Sequence, residues 1–86
     1  MLTRQIVAQQ LGEYLNHKIT LAVLVDWAEN AIMNGDLEEG NEKLIMQALG
    51  RIGAADVKDF GLLWEDCENI MKDLGFLIKV DVLKAA

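Results

Sequence analysis

The chain contains no proline and no serine, and only one cysteine and one histidine. A serine nucleophile is therefore excluded, and the single cysteine, Cys67, cannot form an intrachain disulfide. A structural zinc site needs four nitrogen or thiolate ligands, which His17 and Cys67 alone cannot supply. No stretch has the composition of a linker, so we expect residues 1–86 to form a single domain.

Long apolar runs are also missing. The longest covers residues 21–25, whereas a membrane-spanning helix needs about 20 apolar residues. Gln9, Gln10 and Glu13 interrupt the N-terminal pattern, which therefore lacks the apolar centre of a secretory signal. Because disulfide bonding is also excluded, we expect a cytoplasmic protein that makes no membrane contact.

Basic residues are few. Fourteen acidic residues oppose eight basic ones, and the net charge is −6. This charge would repel nucleic acid and anionic membranes, so we expect neither as a partner. A basic protein surface is the natural complement, although an acidic charge also serves simple solubility.

Apolar residues, at 52% of the chain, follow a helical period through most of its length. This pattern predicts an all-α fold, a compact bundle of about four helices near residues 3–15, 20–34, 41–52 and 62–74. Thr3 and Thr20 are expected to cap the first two helices, and Gly35 and Gly75 to end the second and fourth. Each predicted helix has one apolar face that we expect to form the core. These faces are Ile6, Val7, Leu11, Tyr14 and Leu15 in the first helix; Leu21, Leu24, Val25, Ala28, Ala31 and Ile32 in the second; Leu44, Ile45, Ala48, Leu49 and Ile52 in the third; and Leu63, Trp64, Cys67, Ile70, Met71 and Leu74 in the fourth.

In the C-terminal tail the apolar residues follow a two-residue period instead of a helical one. Ile78, Val80 and Val82 alternate with charged residues, which is typical of a half-buried strand over residues 77–82. A lone strand leaves backbone groups to be satisfied by water, by a second copy of the chain or by another protein. The alternative is that the tail is helix or packed coil. Between the third and fourth helices, Phe60 is expected to anchor the loop to the core.

The sequence contains no recognisable catalytic pattern. Cys67 falls within a predicted core face, where a thiol is typically a small buried hydrophobe, and His17 falls in a loop. The acidic loop of residues 34–42 lacks the residue order of a calcium-binding helix–loop–helix, and no glycine-rich phosphate loop is present. We expect no enzymatic activity, no metal and no cofactor.

The second helix carries more apolar surface than its core face needs. Val23 and Met33 lie off the core stripe, and Trp27 lies at its edge. Either this helix is the central one of the bundle, which we favour, or it meets a partner. Met46, on the outer side of the third helix, adds slightly to the second interpretation. The candidate partner-binding residues are Val23, Trp27, Met33, Ile78, Val80 and Val82.

In size, acidity and predicted helix content the chain resembles the nuclease immunity proteins of bacteria. These are small acidic helical inhibitors that bind basic toxin domains. The resemblance does not extend to their acidic, tyrosine-bearing recognition segment, because Tyr14 lies on a predicted core face. Our hypothesis is a protein interaction module, such as an inhibitor, immunity-type or adaptor protein for a basic partner. The alternatives are a small-ligand-binding or accessory enzyme subunit, and a structural homodimer paired through the tail.

Overall fold

The fold is all-α, as the sequence predicts. A computed structural model describes residues 1–56 and 61–78, and within them four α-helices are present. The helices are α1 (Arg4–Leu15), α2 (Leu21–Asn34), α3 (Glu42–Gly53) and α4 (Trp64–Asp73), with a short 3-10 helix (Ala54–Asp56) after α3. Each α-helix boundary lies within two residues of its predicted position.

Two threonines define the starts of the first two helices, as predicted. The Thr3 hydroxyl accepts a hydrogen bond from the Ile6 backbone N–H, and the Thr20 hydroxyl accepts one from Val23, each at 3.2 Å. Each bond satisfies a backbone donor that the first helical turn leaves free. Helix α3 begins differently, because its N-cap residue Asn41 makes no side-chain capping bond.

Helices α1 and α4 end in the same backbone motif. After α4, Gly75 is left-handed, with φ +91°, and the Phe76 N–H donates to the Met71 carbonyl at 2.8 Å. After α1 the left-handed position is taken by His17, with φ +60°, and the Lys18 N–H donates to Glu13 at 2.9 Å. This is the Schellman arrangement, which normally uses glycine. The predicted ends at Gly35 and Gly75 are confirmed; a left-handed His17 is not evident from the sequence.

Helix α3, rather than α2, lies at the centre of the bundle. It packs against α1, α2, α4 and the short 3-10 helix, whereas α2 packs mainly against α3 and more lightly against α1 and the 3-10 helix. Our preferred interpretation, that a central position of α2 covers its extra apolar surface, is wrong, because Val23 and Met33 are exposed. The buried core comprises Val7, Leu11, Leu24, Val25, Ala28, Ile45, Ala48, Leu49, Ile52, Ala55, Leu62, Cys67, Ile70, Met71 and Leu74.

Four predicted core residues are exposed instead. Ile6 and Leu44 lie at the edges of their apolar faces, and each is 37% exposed. Leu63 is 66% exposed because it precedes α4, which starts at Trp64. The backbone of Leu63 is extended, with φ −82° and ψ 162°. Trp64, the first residue of α4, is 47% exposed. A helical wheel does not apply to a residue that precedes the helix, and Leu62 is buried in place of Leu63.

The N-terminal segment pairs with the loop between α2 and α3. The Leu2 N–H donates to the Asp36 carbonyl at 2.7 Å, and the Glu38 N–H donates to the Leu2 carbonyl at 2.8 Å. These bonds form a parallel bridge between Leu2 and Leu37, which the sequence did not indicate. The start of α1 is thereby held against the far end of α2.

Some sequence predictions concern residues that the structure does not describe. Phe60 and most of the predicted strand, including Val80 and Val82, lie outside residues 1–56 and 61–78. Of that strand only Leu77 and Ile78 are described, and neither is in regular secondary structure. Among the helices described, none combines the length and apolarity that a membrane crossing requires.

Candidate interaction surfaces

The outward side of α2 exposes large apolar side chains. Met33 is 80% exposed and Val23 is 52% exposed, while Trp27 is half-buried against the core. Val23 and Trp27 are one helical turn apart, so they lie on one side of the helix. We call the outward surface formed by Val23, Asp26, Trp27, Asn30 and Met33 the α2 face. It contains all three candidate residues that the sequence placed in this helix.

Trp27 also forms one wall of an open cleft of about 430 Å³. The opposite wall is the N-terminal segment, which the Leu2–Leu37 bridge holds in place. The cleft is lined by Met1, Leu2, Trp27, Asn30, Ala31, Asn34 and Asp36. Its partly polar lining and open shape resemble a surface depression more than an enclosed ligand pocket.

The charge on α2 is entirely negative. The helix contains Asp26 and Glu29 but no basic residue, and both carboxylates are on exposed residues. In the described parts of the chain, the salt bridges use other acids: Asp36 with the N-terminus, Glu38 with Arg4, and Asp66 with Arg51. The α2 face therefore combines apolar side chains with adjacent carboxylates.

The structure does not bring Ile78, the tail candidate that it describes, together with the α2 face. Ile78 is half-buried and lines a separate cleft of about 340 Å³ along α4, together with Glu65, Glu68 and Phe76. Leu77, next to it, is 91% exposed. The two clefts share no residue, so Ile78 and Trp27 belong to two separate surfaces.

A third surface was missed by the sequence analysis. The end of α1 and the start of α4 form a cleft of about 280 Å³, lined by Tyr14, Leu15, His17, Leu62 and Trp64. We call it the aromatic cleft. A signal was available in the sequence: Leu62, Leu63 and Trp64 are consecutive bulky apolar residues, and a helix that starts there cannot bury all three.

Arg51 joins the end of α3 to the start of α4. Its Nη2 lies 2.8 Å from an Asp66 carboxylate oxygen and donates to the Gly61 carbonyl at 3.2 Å. The same Asp66 oxygen accepts the Leu63 backbone N–H at 3.0 Å, which caps α4. Because these contacts fix the entry to α4, they also hold Trp64 at the rim of the aromatic cleft.

Cys67 and His17, the one thiol and the one imidazole of the chain, differ in their exposure. Cys67 is fully buried, as predicted, and burial raises the pKa of its thiol to about 11, with a smaller contribution from the Asp66 charge. His17 is exposed in the loop after α1. Within residues 1–56 and 61–78, no three histidine, cysteine or carboxylate side chains cluster in a way that could hold a metal ion.

Comparisons of the chain with protein-family models, with curated proteins and with solved structures found no match.

Proposed function

We propose that this protein is a cytoplasmic, non-catalytic interaction module that binds a basic partner protein through its α2 face. An inhibitor, an immunity-type protein or an adaptor would each work in this way. The observation that carries the proposal is the exposure of Met33 and Val23 beside Trp27 on a helix with no basic residue.

The apolar part of the α2 face would supply binding energy. Full burial of a methionine or valine side chain is worth about 1.5–3 kcal/mol, and a flexible methionine adapts to an irregular partner surface. Trp27 is a suitable central anchor, because it is already partly buried against the core, which restricts its orientation. The face therefore has the composition of a small interface centre.

The carboxylates would select the partner's charge. Asp26 and Glu29 flank the apolar residues on the same helix, and the chain as a whole has a net charge of −6. Electrostatic complementarity mainly accelerates association and excludes wrong partners. A basic partner is accordingly favoured over an acidic one.

A structural homodimer is the second candidate, and Leu77 favours it. A leucine that is 91% exposed next to the half-buried Ile78 is an apolar side chain that a second copy could cover. A small-ligand or accessory enzyme subunit has less support, because the buried side chains of the described residues include no polar or charged one that could orient a ligand.

Site-specific photo-crosslinking tests the proposal. A photoreactive amino acid is placed at Met33, and a matched control places it at Gln9, an exposed residue of α1. We expect a crosslink to one basic protein from Met33 and none from Gln9. The purified pair should then lose affinity by about tenfold or more in a Val23→Asn, Met33→Gln double variant, which removes apolar contact.

The charge contribution is tested separately. Asp26→Asn with Glu29→Gln should slow association and weaken its dependence on salt. If Met33 crosslinks only to a second copy of the chain, the homodimer candidate replaces this proposal. Crosslinks to an acidic partner, or an affinity unchanged by the double variant, would overturn it as well.

A further inference from the structure

We propose that the aromatic cleft binds the cationic side chain of an arginine or lysine in a basic peptide segment. This inference rests on the proposed function, because it assigns a second contact for a basic partner, but it depends on different residues. The chemistry that this contact would recognise is a cationic side chain.

The shape of the cleft suits one extended side chain. Its volume is about 280 Å³, and it lies between the last turn of α1 and the first turn of α4. Two of its five lining residues, Tyr14 and Trp64, are aromatic, and Leu15 and Leu62 line the rest with His17. An arginine or lysine has an aliphatic stem that packs on leucine and a charged end that interacts with aromatic ring faces.

The charges beside the cleft favour a cation. Glu68 lies one helical turn after Trp64 on the same side of α4, although it also lines the separate cleft along α4, and Glu13 lies in the last turn of α1. Neither carboxylate forms a salt bridge within residues 1–56 and 61–78. Lys18, beside His17, is an opposing charge, and the charge of Arg51 at the entry to α4 is paired with Asp66.

The partial charges at the two helix ends also favour a cation overall. The C-terminus of α1 carries partial negative charge that favours a cation, reduced by the backbone N–H groups of Asn16, His17 and Lys18, which donate to its last carbonyls. The N-terminus of α4 carries partial positive charge, but Asp66 accepts its free Leu63 N–H and offsets that charge. A purely apolar side chain would use the rings and leucines but none of these charges, which is why we assign a basic one.

The two tryptophans allow a direct test in one sample. The indole N–H groups of Trp27 and Trp64 give separate signals in a nitrogen-15 correlation spectrum, so one reports the α2 face and the other the aromatic cleft. The probes are acetyl-Gly-Arg-Gly-amide and the same peptide with citrulline, which is neutral and nearly isosteric with arginine. We expect the Trp64 signal to shift with saturation in the millimolar range for arginine, and at least about threefold weaker binding for citrulline.

Two variants keep the Trp64 reporter. Glu68→Gln removes one exposed carboxylate and should weaken arginine binding by about twofold or more, while leaving citrulline binding unchanged. Tyr14→Leu removes one ring but keeps an apolar side chain, and should weaken arginine binding by about threefold. Glu39→Gln, an exposed acid in the loop before α3, is the matched control and should change neither.

The outcomes separate this inference from the proposed function. Equal binding of both probes at Trp64 would make the cleft a general apolar site and overturn the inference. A shift confined to Trp27, or no shift at all, would overturn it too. If Met33 gives no crosslink but the Trp64 signal still shifts selectively with arginine, the α2 face is not the partner site. The inference about the aromatic cleft would then remain supported.

Discussion

Arg4 and Leu74 are joined by a hydrogen bond in which the Arg4 Nη1 donates to the Leu74 carbonyl at 3.2 Å. Arg4 is the first residue of α1, and Leu74 is the C-cap of α4, so the bond ties the two ends of the fold together. The Arg4 Nε lies 3.6 Å from a Glu38 carboxylate oxygen in the α2–α3 loop. One guanidinium therefore contacts a helix C-terminus, where positive charge is favourable, and a carboxylate.

Replacing this arginine should destabilise the fold. For Arg4→Ala we expect a loss of about 1–2 kcal/mol in the free energy of unfolding, because a charged donor to a partly buried carbonyl is lost while solvent screens the Glu38 pair. Urea unfolding followed by circular dichroism measures it. Gln5→Ala, an exposed neighbour in the same turn, is the control and should change stability by less than about 0.5 kcal/mol. Equal effects of the two variants would contradict the role assigned to Arg4.

The left-handed ends of α1 and α4 should respond to substitution in opposite directions. Gly75→Ala puts a Cβ at φ +91° and 3.2 Å from the Arg4 Nη1, so we expect a loss of about 1–2 kcal/mol. His17→Gly relieves the same kind of strain at φ +60° and should stabilise by a few tenths to about 1 kcal/mol. Thermal unfolding of both variants measures the contrast.

A helical glycine provides the control for that pair. Gly50 lies within α3 with nothing within 4 Å of an added Cβ, so Gly50→Ala should stabilise by about 0.5–1 kcal/mol. If Gly75→Ala were neutral or stabilising like Gly50→Ala, Gly75 would not need its left-handed backbone. If His17→Gly destabilised the fold, the imidazole would contribute more to stability than the left-handed backbone at this position costs.

Cys67 should make stability depend on alkaline pH. Burial raises the pKa of its thiol from 9.0 to about 11, so the unfolded chain loses this proton first as pH rises. The stabilisation is complete below pH 9 and is lost between pH 9 and about pH 11, by about 1 kcal/mol between pH 8 and pH 10. Urea midpoints for the wild type and Cys67→Ala measure it. Other groups titrate in both proteins, so the difference between the two pH profiles isolates the thiol, and parallel profiles would refute this pKa.

If the protein is a homodimer, we expect its tail to form the interface. If two copies pair through the tail, the solution mass should double as concentration rises, and deletion of residues 77–86 should give a monomer. A milder change, Leu77→Asp, should weaken pairing by placing a charge on a side chain that the dimer would cover. Light scattering after size separation measures the mass, with Gln9→Asp, on an exposed residue of α1, as the control. A mass that deletion leaves unchanged would rule out tail pairing.

Most helix boundaries were predictable because their causes are local. Thr3 and Thr20 cap through backbone groups three residues away, and Gly75 allows a turn that other residues resist. The exposure of Val23 and Met33 was not predicted: both lie off the apolar stripe of α2, but the interpretation that we favoured covered them by placing α2 at the centre of the bundle. The start of α4 was harder to place, and so Leu63 and Trp64 were assigned to the core.

The all-α class, the four helices and the apolar, acidic character of α2 could be predicted from the sequence, since each depends on residues within one or two turns. Three features could be found only in the folded chain: α3 is central, Leu2 pairs with Leu37, and Tyr14 and Trp64 line one cleft. Each of these joins residues distant in the chain. Their positions follow from how whole helices pack, and no local pattern of side chains encodes that arrangement.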